Sequence, residues 1–230
     1  VRGIVEDGKD LWIATQTGGL NRYNQETGAW TYFRKREIGS DTAWALVLDG
    51  KSRLWLGTVG SGLWYWEKGR QRFERSSLIP ASATVQTLYE DNRGRLWATG
   101  KGVPLYCISA DRASVREFSL ASLGSASRGG VTDVLRLASG QILVGFASGL
   151  YELDEARGTF QRVIADIYVR DIEQDANGDL WVGSRGQGLL CYRLPTPQSM
   201  VKLVNSGNSS PINFITEREG LPSNVVSAIL

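Results

Sequence analysis

A pair of apolar residues, usually Leu-Trp, returns after a turn at Leu11-Trp12, Leu54-Trp55, Leu96-Trp97, Ile142-Leu143 and Leu180-Trp181. The second members are spaced by 43, 42, 46 and 38 residues. A period near 42 with short strand-like runs fits four strands per repeat, and each such unit must bury its faces against a neighbour. The spacing predicts an all-β chain, a β-propeller of four-stranded antiparallel blades. The blades fall at about 1–41, 42–82, 83–127, 128–165 and 166–220, with the first strand of a sixth at 221–230. Residues 1–6 already read as a first strand, so 221–230 would compete for that place in a closed five-bladed ring. The chain therefore reads as part of a larger propeller, and its opening inside a strand pattern reads as an excised piece.

Each repeat carries the same turns. The first-turn residue is Asp7, Asp49, Asp91 or Asp175, with Leu137 in the fourth repeat. Asn and Gly in these turns supply left-handed backbone positions. No helical periodicity follows any Gly-rich turn, which argues against a phosphate loop. The Trp of each pair is expected between adjacent blades. Trp64 and Trp66 should share one face of their strand and Tyr65 the other. Two stretches, 120–130 and 195–211, break the pattern and read as loops. The fourth strand of the last repeat is displaced to residues 212–215.

Composition removes several functions. The 26 basic and 24 acidic residues leave a net charge of +2, with no basic footprint for nucleic acid. No apolar run reaches the ~20 residues of a membrane helix, so membrane attachment would come only from regions outside this chain. Histidine is absent, which removes Ser-His-Asp and Cys-His catalysis and His-based metal sites. No cofactor and no metal are expected. Cys107 and Cys191 fall in third strands of different blades, beyond the ~7 Å a disulfide allows, and read as buried thiols.

Counting back from the first-turn residue gives a candidate site. Position minus three is apolar in every repeat: Ile4, Leu46, Leu88, Val134, Ile172. It reads as core. Position minus five holds Arg2, Trp44, Gln86, Thr132 and Arg170, with Ser227 in the partial blade. Varied polar occupants beside constant neighbours suggest a position facing the channel. There Trp44 would be a stacking platform, and Arg2 and Arg170 donors to anions or hydroxyls. The second-turn residues Gln16, Lys101, Arg185 and Gln187, with Thr17, Ser61 and Phe146, would form the rim. Asp133 and Asp171 share position minus four, which alternates away from minus five, and read as a structural pair.

The strings "EDGKDLWIATQTGGLNRYNQETGAWTYF", "LDGKSRLWLGTVGSGLWYWEKGRQRF", "EDNRGRLWATGKG" and "QDANGDLWVGSRGQGLLCYR" resemble the two-component-regulator propeller repeat. The end, "FITEREGLPSNVVSAIL", resembles the junction between two such blades. The fourth repeat departs most, at Ile142-Leu143. The resemblance implies propellers of about seven blades, in the periplasmic sensor region of hybrid histidine kinases or diguanylate cyclases. It implies a non-catalytic domain that binds an unknown small molecule, with an oligosaccharide as the candidate class. A protein-interaction or self-associating scaffold is the alternative. A propeller lyase is a weaker one, since such enzymes depend on a histidine base.

Overall fold

The computed structural model describes residues 1–194 and 213–229. These form five antiparallel sheets, each of four strands in chain order. The first contains β1 (Gly3–Asp7), β2 (Asp10–Ala14), β3 (Leu20–Asn24) and β4 (Trp30–Phe33). The second contains β5 (Ala43–Leu48), β6 (Leu54–Thr58), β7 (Leu63–Glu67) and β8 (Arg72–Arg75). The third contains β9 (Thr87–Glu90), β10 (Leu96–Thr99), β11 (Leu105–Ile108) and β12 (Val115–Phe118). The fourth contains β13 (Val131–Arg136), β14 (Ile142–Phe146), β15 (Gly149–Asp154) and β16 (Thr159–Ala165). The fifth contains β17 (Val169–Gln174), β18 (Leu180–Ser184), β19 (Leu189–Tyr192) and β20 (Asn213–Ile215). These sheets are the blades of a β-propeller. The chain divides into two compact units, Val1–Glu117 and Phe118–Leu230.

The first turn explains why Trp recurs. Asp49 Oδ1 accepts from the amides of Lys51 (3.0 Å) and Arg53 (2.9 Å), while Oδ2 accepts from the Trp55 indole at 2.8 Å. Asp91 does the same for Arg93, Arg95 and Trp97, and Asp175 for Asn177, Asp179 and Trp181. One carboxylate thus closes a three-residue loop and fixes the indole six residues on. In the fourth sheet Leu137 and Leu143 replace both partners together, which leaves no unpaired polar group. The first sheet has a loop one residue shorter, Gly8 and Lys9, so Asp7 cannot make the same clasp. Asp7 instead pairs with Lys68 at 3.1 Å. The Trp12 indole nitrogen is buried with no hydrogen-bond partner among the described residues.

Packing between sheets follows from strand alternation. Trp12 meets Trp66 at 5.1 Å and Phe73 at 5.8 Å, joining the first and second sheets. Trp64 packs against the same cluster. Tyr65 points to the other side, 5.4 Å from Trp55, in the cluster shared with the third sheet. Glycines two residues after the second apolar residue of the pair let the next inner strand approach. A Cβ on Gly57 would lie 2.7 Å from the Val85 carbonyl oxygen, and one on Gly145 2.6 Å from Val169.

Some expectations change. Position minus three is not core throughout: Val134 and Ile172 are buried, but Ile4 is 60% exposed. Leu46 shows why, since it faces back toward Gly3 on the preceding sheet. Among the described residues, no sheet precedes the first. The 120–130 stretch contains a 3-10 segment, Ala121–Ser127. Residues 195–211, and residue 212 of the displaced fourth strand, lie outside the described residues. Cys107 and Cys191 are buried thiols.

Residues 224–229 dock on the fifth sheet as an entering inner strand would. The Val226 amide donates to Ser184 at 2.8 Å, as Val85 does to Thr58 and Ala43 to Thr15. Gly188 donates to Asn224 as Gly62 donates to Ala83 and Gly19 to Asp41. Val225 bridges to Arg185, and no longer ladder forms among the described residues.

Candidate functional site

The minus-five residues have a structural peculiarity. In the second, fourth and fifth sheets the ladder register skips one residue, so Trp44, Thr132 and Arg170 are bulge residues. A bulge re-aims a side chain while the strand on either side stays anchored. Arg2 and Gln86 sit at the equivalent point, where the backbone amide donates to Ala14 and to Thr99.

The re-aimed side chains meet the second turn. Arg2 donates to the Gln16 carboxamide and stacks on Trp44, with the guanidinium 3.9 Å from the ring centroid. Gln86 Oε1 accepts from the Lys101 amide at 3.1 Å. Arg170 and Arg185 both lie against Tyr168, at 5.9 and 5.6 Å from its centroid. Gln16, Lys101 and Arg185 all stand four residues after the second member of the apolar pair, so minus-five and second-turn candidates form matched slots. Gln187 donates to the Asp166 carbonyl at 2.8 Å. Ser227 is exposed on the docked segment. Two rim expectations fail: Phe146 is fully buried against Tyr151 and Phe160, and Ser61 is buried. Phe146 is the last residue of β14, three after Leu143, the position that Thr58 and Ser184 hold in their sheets, and like them it is buried rather than part of the turn.

Position minus four carries chemistry that the sequence suggested only faintly. Asp133 Oδ2 accepts from the Ile172 amide at 2.8 Å, and Asp171 Oδ2 accepts from the Ile229 amide at 2.5 Å. Each carboxyl reaches the minus-three amide of the next inner strand. The two carboxyls also act on each other: the charge of Asp171 raises Asp133, and Asp133 lowers Asp171. Burial first, then the charge of Asp171, pushes the Asp133 carboxyl well above the usual carboxylate range. Burial raises Asp171 as well, against the lowering effect of the Ile229 amide. Glu173 is raised by burial and by the Asp171 charge. Both carboxyls of the pair are thus raised, Asp133 more strongly because it is more deeply buried. Among the described residues, no group of three or more Asp, Glu or Cys side chains is placed to hold a metal ion.

Residues 164–186 run from the end of β16 through the Asp175–Trp181 clasp to the second turn, and this stretch matches the family described as the two component regulator propeller. The chain carries a regulator propeller repeat. The fold agrees over the remaining length. The extracellular domain of a hybrid two component system from B. thetaiotaomicron superposes with a TM-score of 0.75 at 20% identity, over 99% of this chain and 30% of that one. PorZ, a surface component of the type-IX secretion system of Porphyromonas gingivalis, gives 0.70 at 16% identity, over 98% and 35%. Virginiamycin B lyase from Staphylococcus aureus gives 0.62 at 15% identity, over 85% and 70%. At these identities the likeness is one of fold. The chain spans about a third of the first two of these proteins. No curated protein matches the sequence. No helix of the described residues is long and apolar enough to cross a membrane.

Proposed function

We propose that this chain is a non-catalytic, ligand-sensing segment of an extracytoplasmic propeller in a bacterial signal-transduction protein, with the second-turn face as its ligand face. The observation that carries the reading is the regulator propeller repeat at 164–186, together with the superposition of nearly the whole chain on the extracellular domain of a hybrid two component system. In the first unit the ligand would meet Arg2, Trp44, Gln16, Gln86 and Lys101, and in the second Thr132, Arg170, Arg185, Gln187 and Ser227. Binding would shift the balance between two arrangements of the propeller and so reach the membrane. The periplasm is the compartment that fits.

A non-enzymatic role fits the residues. A histidine-to-alanine variant of the virginiamycin B lyase is catalytically inactive, and this chain contains no histidine. The Asp133 and Asp171 carboxyls are each engaged by the amide of a following strand.

The test is a thermal-shift screen of neutral and acidic oligosaccharides and small anions against this chain and the longer extracytoplasmic region. A ligand at 100 times its Kd stabilises the native state by about 2.7 kcal/mol. The expected result is a saturable rise that Trp44→Ala reduces. An unchanged response in Trp44→Ala would remove the first unit from the site. A second reading, self-association, is favoured by one observation: Trp30 and Tyr32 are 49% and 57% exposed on β4 with parallel rings. Mass that rises with concentration, without any ligand response, would support it instead.

A further inference from the structure

The slots of the second and fifth sheets share one backbone bond and differ completely in chemistry, and the fourth differs again in its side chains. The residue two before minus five, the minus-five residue and the second-turn residue are Thr42, Trp44 and Val59 in the second sheet. In the fourth they are Gly130, Thr132 and Ala147. In the fifth they are Tyr168, Arg170 and Arg185. The frame itself is kept: the Arg185 amide donates to the Tyr168 carbonyl at 2.9 Å, just as Val59 donates to Thr42. A constant scaffold with exchanged side chains is the pattern of a recognition position.

The fifth slot places two guanidinium groups on one tyrosine ring, at 5.9 and 5.6 Å from its centroid. Among the described residues neither guanidinium makes an ion pair or a side-chain hydrogen bond. Elsewhere the chain pairs its buried arginines with acids, Arg112 with Asp49 and Glu90 and Arg136 with Glu155, and does the same for the half-buried Arg95 with Asp91. Arg170 is half-buried too, held on a bulge between buried Val169 and Asp171, which is anchored to Ile229. Two cations beside one ring without an acid leave their planar donor forks available, and an oxyanion within reach of both would use them. Tyr168 offers its ring as a wall. Ser227 occupies the next minus-five position on the docked segment, where Trp44 stands relative to Arg2.

We infer that Tyr168, Arg170 and Arg185 form a binding slot for an oxyanion group of a ligand, a carboxylate, sulfate or phosphate. The inference rests on the second-turn face being the ligand face and assigns the charge class of what binds in the second unit. The experiment is an NMR titration of the intact chain with sodium sulfate, inorganic phosphate and sodium acetate, at constant ionic strength made up with chloride. The expected result is saturable shifts of the Arg170, Arg185 and Gly186 amide signals for at least one anion. A planar carboxylate or a tetrahedral anion is distinguished by which of the three saturates first. Arg170→Gln with Arg185→Gln abolishes the shifts. Arg170→Lys with Arg185→Lys weakens binding at least about 5-fold, because lysine keeps the charge but loses the fork. Exposed Arg162→Gln leaves binding unchanged. Shifts that never saturate, or that persist in the double glutamine variant, overturn the inference. Trp44→Ala separates the two readings, since it lies in the other unit. Anion binding that survives while no ligand responds to Trp44→Ala leaves this slot standing and removes the first-unit site.

Discussion

In Val1–Glu117 the carboxyls of the buried acids Asp49 and Asp91 are held below their ordinary value, while in Phe118–Leu230 the carboxyl of Asp133 is pushed well above it. Burial opposes ionisation at all three. At Asp49 the indole of Trp55, the amides of Arg53 and Lys51 and the guanidinium of Arg112 outweigh it, and the carboxyl sits below its ordinary value. At Asp133 burial and the charge of Asp171 outweigh the amides of Val134 and Ile172, and the balance reverses. The first-turn slot is a cage of donors. The minus-four slot is a single bridge to the next inner strand. In the first unit that slot holds Gly3, Ala45 and Thr87, so its inner strands meet without buried carboxyls. The same residue type on the same repeat is therefore shifted in opposite directions, decided by burial and by how many donors its slot supplies.

The largest way to break this contrast is Asp49→Ala. It removes the acceptor for the Trp55 indole and for two loop amides, and among the described residues it leaves Arg112, a nearly fully buried cation, with one acid, Glu90, beside the carbonyls of Gly94 and Ser109. Removing one partner of a buried pair costs about 3–5 kcal/mol, and the retained Glu90 places the loss near the low end. Denaturant unfolding of the variant measures it. A loss within error of a surface substitution would show that the clasp is ornamental.

Asp133 sharpens the contrast through pH. A carboxyl whose folded value is raised contributes stability that is fully present below its ordinary 3.8 and is lost as pH rises through the folded value. A carboxyl whose folded value is depressed, such as Asp49, contributes stability present above 3.8 and lost as pH falls through its folded value. Raising the pH should thus loosen the inner strands of the second unit, and acid should loosen the clasps of the first. Asp133→Asn keeps a group that can accept from the Ile172 amide and should flatten the decline on the alkaline side. Asp133→Leu leaves that amide unpaired and should cost about 1–3 kcal/mol. Thermal midpoints across pH check both, and an unchanged slope in Asp133→Asn would show that the pair is not the source.

The smallest effect tests the substitution that the fourth sheet already carries. Replacing Asp175 and Trp181 together by Leu imitates Leu137 and Leu143. The double variant should lose less than Asp175→Leu alone, because the single change strands the indole nitrogen. Equal losses in a double-mutant cycle would mean that the paired replacement in the fourth sheet has another cause.

The amino-acid sequence by itself determined the repeat, the five four-stranded sheets, the turn chemistry and the direction of Trp64, Tyr65 and Trp66. It did so because those features depend on neighbours within about ten residues. The Asp-to-Trp spacing of six closes a loop on itself, and alternation along a strand needs only the strand. It also brought out the minus-five residues, although not the bulges that aim Trp44, Thr132 and Arg170 toward the second turn. Only the tertiary structure decided the rest. Ile4 is apolar yet exposed, because no sheet among the described residues covers the face that Leu46, at the equivalent position, packs against Gly3. Phe146 belongs to the core, because β14 extends through it. Asp133 and Asp171 became bridges to the next inner strand, because each reaches an amide about 40–60 residues away in sequence, a separation over which local spacing carries no information. The pairing of Arg170 with Arg185 on Tyr168 has the same origin. Residues that are 15 and 17 apart in sequence share one ring only because a turn and a bulge bring two strand ends together.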